Sequence, residues 1–144
     1  MRRQSDGSSW GVALEGRLGQ AYNEEAFRYF LAAERKRSER SGHPFLLLLV
    51  ELKEEPGASL RIHPVMGAKI FSRLWACLRE TDCVGWYREE RIAGAVLTPL
   101  GDTPQLDVCQ AVVQRVTAAL GETLPPSLTG RLLVHAHQIQ SKLS

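Results

Sequence analysis

The stretch Arg79–Leu97, RETDCVGWYREERIAGAVL, governs how the rest of the chain is read. Its apolar runs Cys83–Tyr87 and Ile92–Leu97 flank the charged residues Arg88–Arg91, a pattern that predicts two strands joined as a hairpin, with Gly94 a weak point in the second. The tip is unusual. Tight two-residue turns favour Gly or Asn, which tolerate positive φ, and Arg88-Glu89-Glu90-Arg91 contains neither. Either the loop is wider than two residues or something other than turn economy selected these charges.

Upstream of the hairpin, Pro64 opens a helix expected to run to about Glu80, with Val65, Ile70, Phe71, Leu74, Trp75 and Leu78 as a broad buried face. Before it, Pro44–Lys53, PFLLLLVELK, is a continuous apolar run and reads as a central strand covered on both faces. Glu51 is its exception. An unpaired carboxylate is costly to bury, so Glu51 must lie at a solvent edge or opposite a cation. Earlier still, Asn23 is the N-cap of a helix over about residues 23–41, with Ala26, Phe27, Phe30, Leu31 and Ala33 on its apolar face and Gly42 closing it. Its end, Glu34–Arg40, interleaves acids with bases and reads as a solvated helix end rather than a nucleic-acid surface. Met1–Trp10 shows no periodicity, and residues 1–21 are expected to be a flexible tail or linker, leaving 22–144 as one domain.

Downstream, Thr103-Pro104 opens a third helix, carried by Leu106, Cys109, Val112, Val113, Val116 and Leu120 and closed by Gly121. The loop Glu122–Gly130 leads to a last strand, Arg131–His137. His135 and His137 alternate onto one strand face, a spacing that metal sites use, but with no third ligand nearby in sequence two partly exposed histidines are expected, and no metal or cofactor.

Composition narrows the function classes. A chain of 144 residues with 44% hydrophobic content can bury a core without staples, and its net charge of +2 implies no strong polyanion field. Cys77, Cys83 and Cys109 form no CxxC pair and sit in apolar segments, which favours buried thiols in a reducing cytoplasm. No signal peptide is apparent and the run Phe45–Leu52 is too short to span a bilayer, so no membrane insertion is expected.

After the first helix the element order is β, α, β, β, α, β, which implies an α+β, ferredoxin-like antiparallel sheet with its helices on one side. That fold hosts RNA binders, sensors and nucleotide cyclases. RNA binding needs aromatics and basic residues on the central strands, and LLLLVEL and IAGAVL lack both, so no nucleic-acid partner is expected.

Over roughly Arg17–His137 the chain resembles a degenerate GGDEF domain, the bacterial diguanylate cyclase fold. The pieces are GRLGQAYNEEAF, similar to LTGLxNRxxF; ERKRSERSGHPFLLLLVEL, similar to a basic helix end followed by the lLxxDID strand; and RETDCVGWYREERIAGAVL, similar to RxxDxxxRyGGDEFaxLL. The resemblance implies a nucleotide-cyclase-like fold with an extra N-terminal helix, and no counterpart here of the family's terminal ADxALYxAK helix. It places Glu51 on the first Asp of DID and Lys53 on the second. It places Arg88 and Glu89 on the two glycines, Glu90 on the Asp, Arg91 on the Glu and Ile92 on the Phe. In the family the first Asp and that Glu hold the Mg²⁺ ions that polarise GTP phosphates. Here one ligand position is a guanidinium, and a fixed cation about 4 Å away opposes Mg²⁺ by several kcal/mol at an effective dielectric near 20. The FKxxND segment is replaced by Glu54-Glu55-Pro56-Gly57. The resemblance therefore implies a catalytically inactive module.

One motif of the family survives. Arg79-Glu80-Thr81-Asp82 is an RxxD, and the five residues Cys83–Tyr87 separate it from Arg88 as in the family's product-binding site. Arg pairs bidentately with guanine O6/N7 or phosphate, and Asp accepts from guanine N–H groups. The same residues also suit a helix C-terminus and a turn. Two expectations follow: a cyclic-di-GMP receptor acting through Arg79 and Asp82 in bacterial signalling, or a ligand-independent module in which the hairpin tip and Trp86 contact a protein partner or a second copy. Glu51 and Arg91, whose positions converge on one cation in the family, are further expected to face each other as an ion pair.

Overall fold

Alternation along one strand organises the molecule. In Phe45–Leu52 every side chain is buried: Leu46, Leu48, Val50 and Leu52 enter one cluster and Phe45, Leu47 and Leu49 another, on opposite faces of the sheet. The structure is a computed structural model and describes residues 12–15, 20–54, 59–78, 83–97 and 105–139. Its elements are β1 (Val12–Glu15), β2 (Gln20–Tyr22), α1 (Glu24–Ser41), β3 (Phe45–Leu52), α2 (Pro64–Cys77), β4 (Cys83–Arg88), β5 (Ile92–Leu97), α3 (Gln105–Thr123), α4 (Pro126–Thr129) and β6 (Leu132–Ile139).

The six strands lie in the order β1-β2-β4-β5-β3-β6. From β3 to β6 the elements form the expected ferredoxin-like unit, with β3 antiparallel to both β5 and β6 and β4 antiparallel to β5. Two differences concern the sheet as a whole. It is mixed rather than antiparallel, because β2 runs parallel to β4, and two short strands that the reading of the sequence did not include, β1 and β2, extend it. Three- and four-residue strands are too short to print an alternation.

The helices occupy both faces, not one. α2 and α3 cover Leu48, Val50, Ala93, Ala95 and Val84 through Ile70, Phe71, Leu74, Val116 and Leu120, whereas α1 covers Phe45, Leu47, Leu49 and Val96 through Phe27 and Leu31. α1 begins as predicted: Asn23 Oδ1 accepts from the Ala26 N–H at 2.9 Å. It ends at Gly42, whose φ of 78° lets its N–H reach the Ser38 carbonyl. Its inner face differs from the reading, since Ala33 is exposed while Glu34 and Ser38 are buried. Ser38 is satisfied by donating to the His43 carbonyl. Gly94 is a close-packing position, where an added Cβ would stand 3.0 Å from the Phe27 ring.

Helix ends also depart from expectation. α2 is helical to Cys77 and Leu78 is already extended, short of Glu80, and Val65 is 60% exposed because it sits on the outer side of the first turn. α3 continues through Gly121 to Thr123, and a one-turn helix, α4, occupies the following loop, started by Pro126 in its first turn. The opening signature Thr103-Pro104 lies outside the described residues. The three thiols are half-buried and form no disulfide, and burial pushes that of Cys109 up. No helix among the described residues is long and apolar enough to cross a membrane.

Candidate functional site

The hairpin tip predicted from Arg88–Arg91 is a β-turn closed by the Arg91 N–H on the Arg88 carbonyl at 2.9 Å, with strand pairing resuming at Arg88 and Ile92 across a register shift. Its loop is thus wider than two residues. Glu90 occupies the left-handed region at φ 59°, where Gly is preferred, and is the sole non-glycine to do so among the described residues. Its contacts compensate. Glu90 Oε1 accepts from Arg61 Nε at 2.9 Å and Nη2 at 2.7 Å, and the Glu90 carbonyl accepts from the Ile62 N–H at 2.7 Å.

Glu89 is committed in the opposite direction. Its Oε1 accepts from the Glu24 N–H at 2.9 Å, and its own N–H donates to Glu24 Oε1 at 2.7 Å. Glu24 is the first residue of α1, so the tip satisfies one of the donors that every helix N-terminus leaves open. Arg28, one turn on, bonds Glu24 and lies 5.6 Å from the centre of the Tyr87 ring. The charges that turn economy did not explain are docking contacts to α1 and to the 59–62 segment. Arg88 is exposed.

Beside this tip, Glu51 is 7% exposed near the end of β3. It accepts from the Ser59 hydroxyl, stands 3.6 Å from Lys53 Nζ, and has Oε2 3.3 Å from His135 Nε2. Burial pushes its carboxyl up, but the Ser59 and His135 hydrogen bonds and the Lys53 ammonium outweigh that and hold it below the usual range. The expected Glu51–Arg91 ion pair does not form. Arg91 Nη1 donates instead to the Ser59 carbonyl at 2.9 Å, so the two residues meet through Ser59. Arg91 leaves from the turn, while Glu51 opposes the next residue, Ile92, on β5.

This donor set does not fit Mg²⁺. The positions that the resemblance equates with its ligands offer one carboxylate already engaged by three partners, flanked by an ammonium and with a guanidinium nearby, where a hard cation needs oxygens. The cavity between the tip and the start of α2, lined by Pro64, Gly67, Ala68, Phe71, Trp86, Glu89 and Glu90, measures about 140 Å³. Trp86 is buried at 5% exposure and stacks edge-on to Phe71 at 4.9 Å, so it is not the surface contact the sequence suggested.

Arg79 and Asp82 lie outside the described residues, in the connection from α2 to β4. The neighbouring structure supplies something the sequence did not single out: Arg115 on α3 places Nη1 3.3 Å from the carbonyl of Cys77, the last residue of α2. Sequence spacing could not find it, because the contact joins residues on separate helices. A second, open groove of about 540 Å³ runs between α3 and β6, along Cys109, Val113, Val134 and Ala136. On β6, His135 and His137 do share a face, with ring nitrogens 3.0 Å apart.

No protein-family model matches the chain, and no curated protein does. Solved structures do resemble it. The GGDEF domain of FimX from Pseudomonas aeruginosa superposes with a TM-score of 0.64 at 19% identity, over 92% of this chain and 84% of that one. The GGDEF domain of PA1120 (TpbB or YfiN) from the same organism gives 0.60 at 15% identity, over 87% and 75%. P. aeruginosa PelD in complex with c-di-GMP gives 0.50 at 17% identity, over 84% of this chain and 41% of PelD. With the βαββαβ unit, the added α1 and the signature hairpin in place, the chain has the fold of a GGDEF domain.

Proposed function

We propose that the chain is a GGDEF-fold signalling module that does not convert GTP and that receives cyclic-di-GMP at the α2–β4 connection through Arg79 and Asp82. The observation that carries the reading is the occupation of the signature hairpin by its own side chains. Glu89 holds α1, Glu90 holds Arg61, and Arg91 holds the Ser59 carbonyl, where a cyclase needs open backbone and metal-binding oxygen. For the ligand, Arg115 supports the reading, since its guanidinium reaches the end of α2 at Cys77, two residues before Arg79 in the sequence. A flat guanine between two guanidinium groups, with a carboxylate accepting from its N–H edge, is a chemically complete site. That PelD, of similar fold, binds c-di-GMP makes this ligand the first to test.

Titration calorimetry with cyclic-di-GMP is expected to show saturable heat. Arg79→Ala abolishes it, Asp82→Ala and Arg115→Ala weaken it, and Glu51→Ala leaves it intact. Absence of heat at millimolar ligand would sink the receptor reading in favour of a ligand-independent interaction module. Formation of cyclic-di-GMP from GTP and Mg²⁺, lost in Glu51→Ala, would overturn the catalytic half.

A further inference from the structure

β6 is the last strand of the sheet, hydrogen-bonded to β3 on one side. Leu47 pairs with His137 and Leu49 with His135, so both imidazoles stand on the face opposite α2 and α3, one half-buried and the other exposed. Nδ1 of His135 and Nε2 of His137 are 3.0 Å apart, with the rings nearly perpendicular. The remaining nitrogen of His135, Nε2, lies 3.3 Å from Glu51 Oε2. Because Glu51 is a carboxylate that only accepts, His135 carries its proton on Nε2 and presents a lone pair at Nδ1. His137 then donates from Nε2 into that lone pair. The result is a relay of carboxylate, imidazole and imidazole, whose last link opens to solvent.

We propose that His135 Nδ1 and His137 Nε2 bind one divalent transition-metal ion of the Cu²⁺ or Ni²⁺ class, with Glu51 as the positioning carboxylate behind His135. The ion takes the place of the proton between the two rings, and that proton moves to Nδ1 of His137. Three features of the geometry point this way. A ligating histidine characteristically donates its other N–H to a carboxylate, and Glu51 already accepts it. At a metal–nitrogen bond of about 2.0 Å, the present nitrogen separation subtends about 97°, nearer the cis angle of a tetragonal ion than the roughly 109° of tetrahedral zinc. The exposure of His137 leaves the remaining coordination positions to water. Among the described residues no group of three His, Cys, Asp or Glu side chains converges, so the protein supplies two nitrogens and the affinity is modest. Glu51 thus acts behind a metal ligand rather than as one, and the site is independent of the cyclic-di-GMP reading.

The test is calorimetric titration of the full chain with NiCl₂, together with the electron paramagnetic resonance spectrum of the Cu²⁺-loaded protein, both with the thiols alkylated. One ion per chain is expected, with hyperfine structure from two nitrogens. His135→Gln and His137→Gln each abolish the site, whereas His43→Gln and His63→Gln do not change it. Glu51→Gln keeps the two-nitrogen spectrum and weakens binding about 10- to 100-fold. His137→Gln alters an exposed side chain and leaves the fold intact, so its result stands whatever Glu51→Gln does to folding. Binding that survives His137→Gln, or no saturable binding at submillimolar Ni²⁺, would overturn the proposal.

Discussion

Glu90 and Glu51 show two ways in which a single residue is held against its own preference. At φ 59° the Glu90 backbone carries a left-handed conformation that costs an L-residue about 1–2 kcal/mol, offset by the Arg61 contacts and the Ile62 hydrogen bond. Glu90→Gly relieves the strain and loses an exposed ion pair, so its stability should fall within about 0.5 kcal/mol of the parent. Glu90→Val loses the pair and adds a β-branch, and should unfold about 1–2 kcal/mol more easily in urea. For Glu51 the folded carboxyl is held below its ordinary value of 4.5, so its contribution is complete above that pH and disappears as pH falls through the lower, folded value. Urea stability measured from pH 7 down to pH 3 should therefore show a shallower acid decline in Glu51→Gln than in the parent. Equal acid slopes would mean that the Ser59, His135 and Lys53 contacts do not favour the ionised form.

At the scale of elements, the hairpin and α1 form one mechanical unit through the reciprocal Glu24–Glu89 bonds. Glu89→Ala should cost about 1 kcal/mol and speed amide exchange at Glu24 and Arg91 before it affects β3, because the contact is local and solvent-exposed. β3 behaves differently. Leu48 is fully buried between the sheet and the α2–α3 layer, and Leu48→Ala should cost about 2–5 kcal/mol. Val65→Ala on the outer side of α2 should change stability by less than about 0.5 kcal/mol, although periodicity put Val65 in the core. Thermal melts of the two variants distinguish these expectations directly. Val65 lies outside the core because the first turn of a helix often projects past the layer it packs on, and a 3.6-residue pattern carries no information about where that layer ends.

For the whole molecule, the proposed loss of catalysis is distributed and not confined to one residue. Arg91→Glu alone should bind no Mg²⁺ detectable by calorimetry, since Lys53, Ser59 and His135 remain on Glu51. The architecture was largely legible in the chain. The apolar run of Phe45–Leu52, interrupted only by Glu51, required a strand covered on both sides, the Asn23 and Gly42 signals bounded α1, and the order of elements implied the ferredoxin-like unit. These are local patterns, written in periods of 2 and 3.6 residues and in backbone preferences, which neighbouring residues can encode by themselves. Tertiary structure alone decided that α1 lies on the opposite face from α2 and α3 and that β2 runs parallel to β4. It also decided that Trp86 is interior, that Glu51 takes Lys53, Ser59 and His135 while Arg91 takes a carbonyl, and that Glu89 at the hairpin tip secures the start of a helix 65 residues away in sequence. The reason is that a side chain's chemistry specifies what kind of partner it requires, a cation for a carboxylate or a cover for an indole, whereas which partner arrives depends on register and crossover, and those are properties of the assembled sheet.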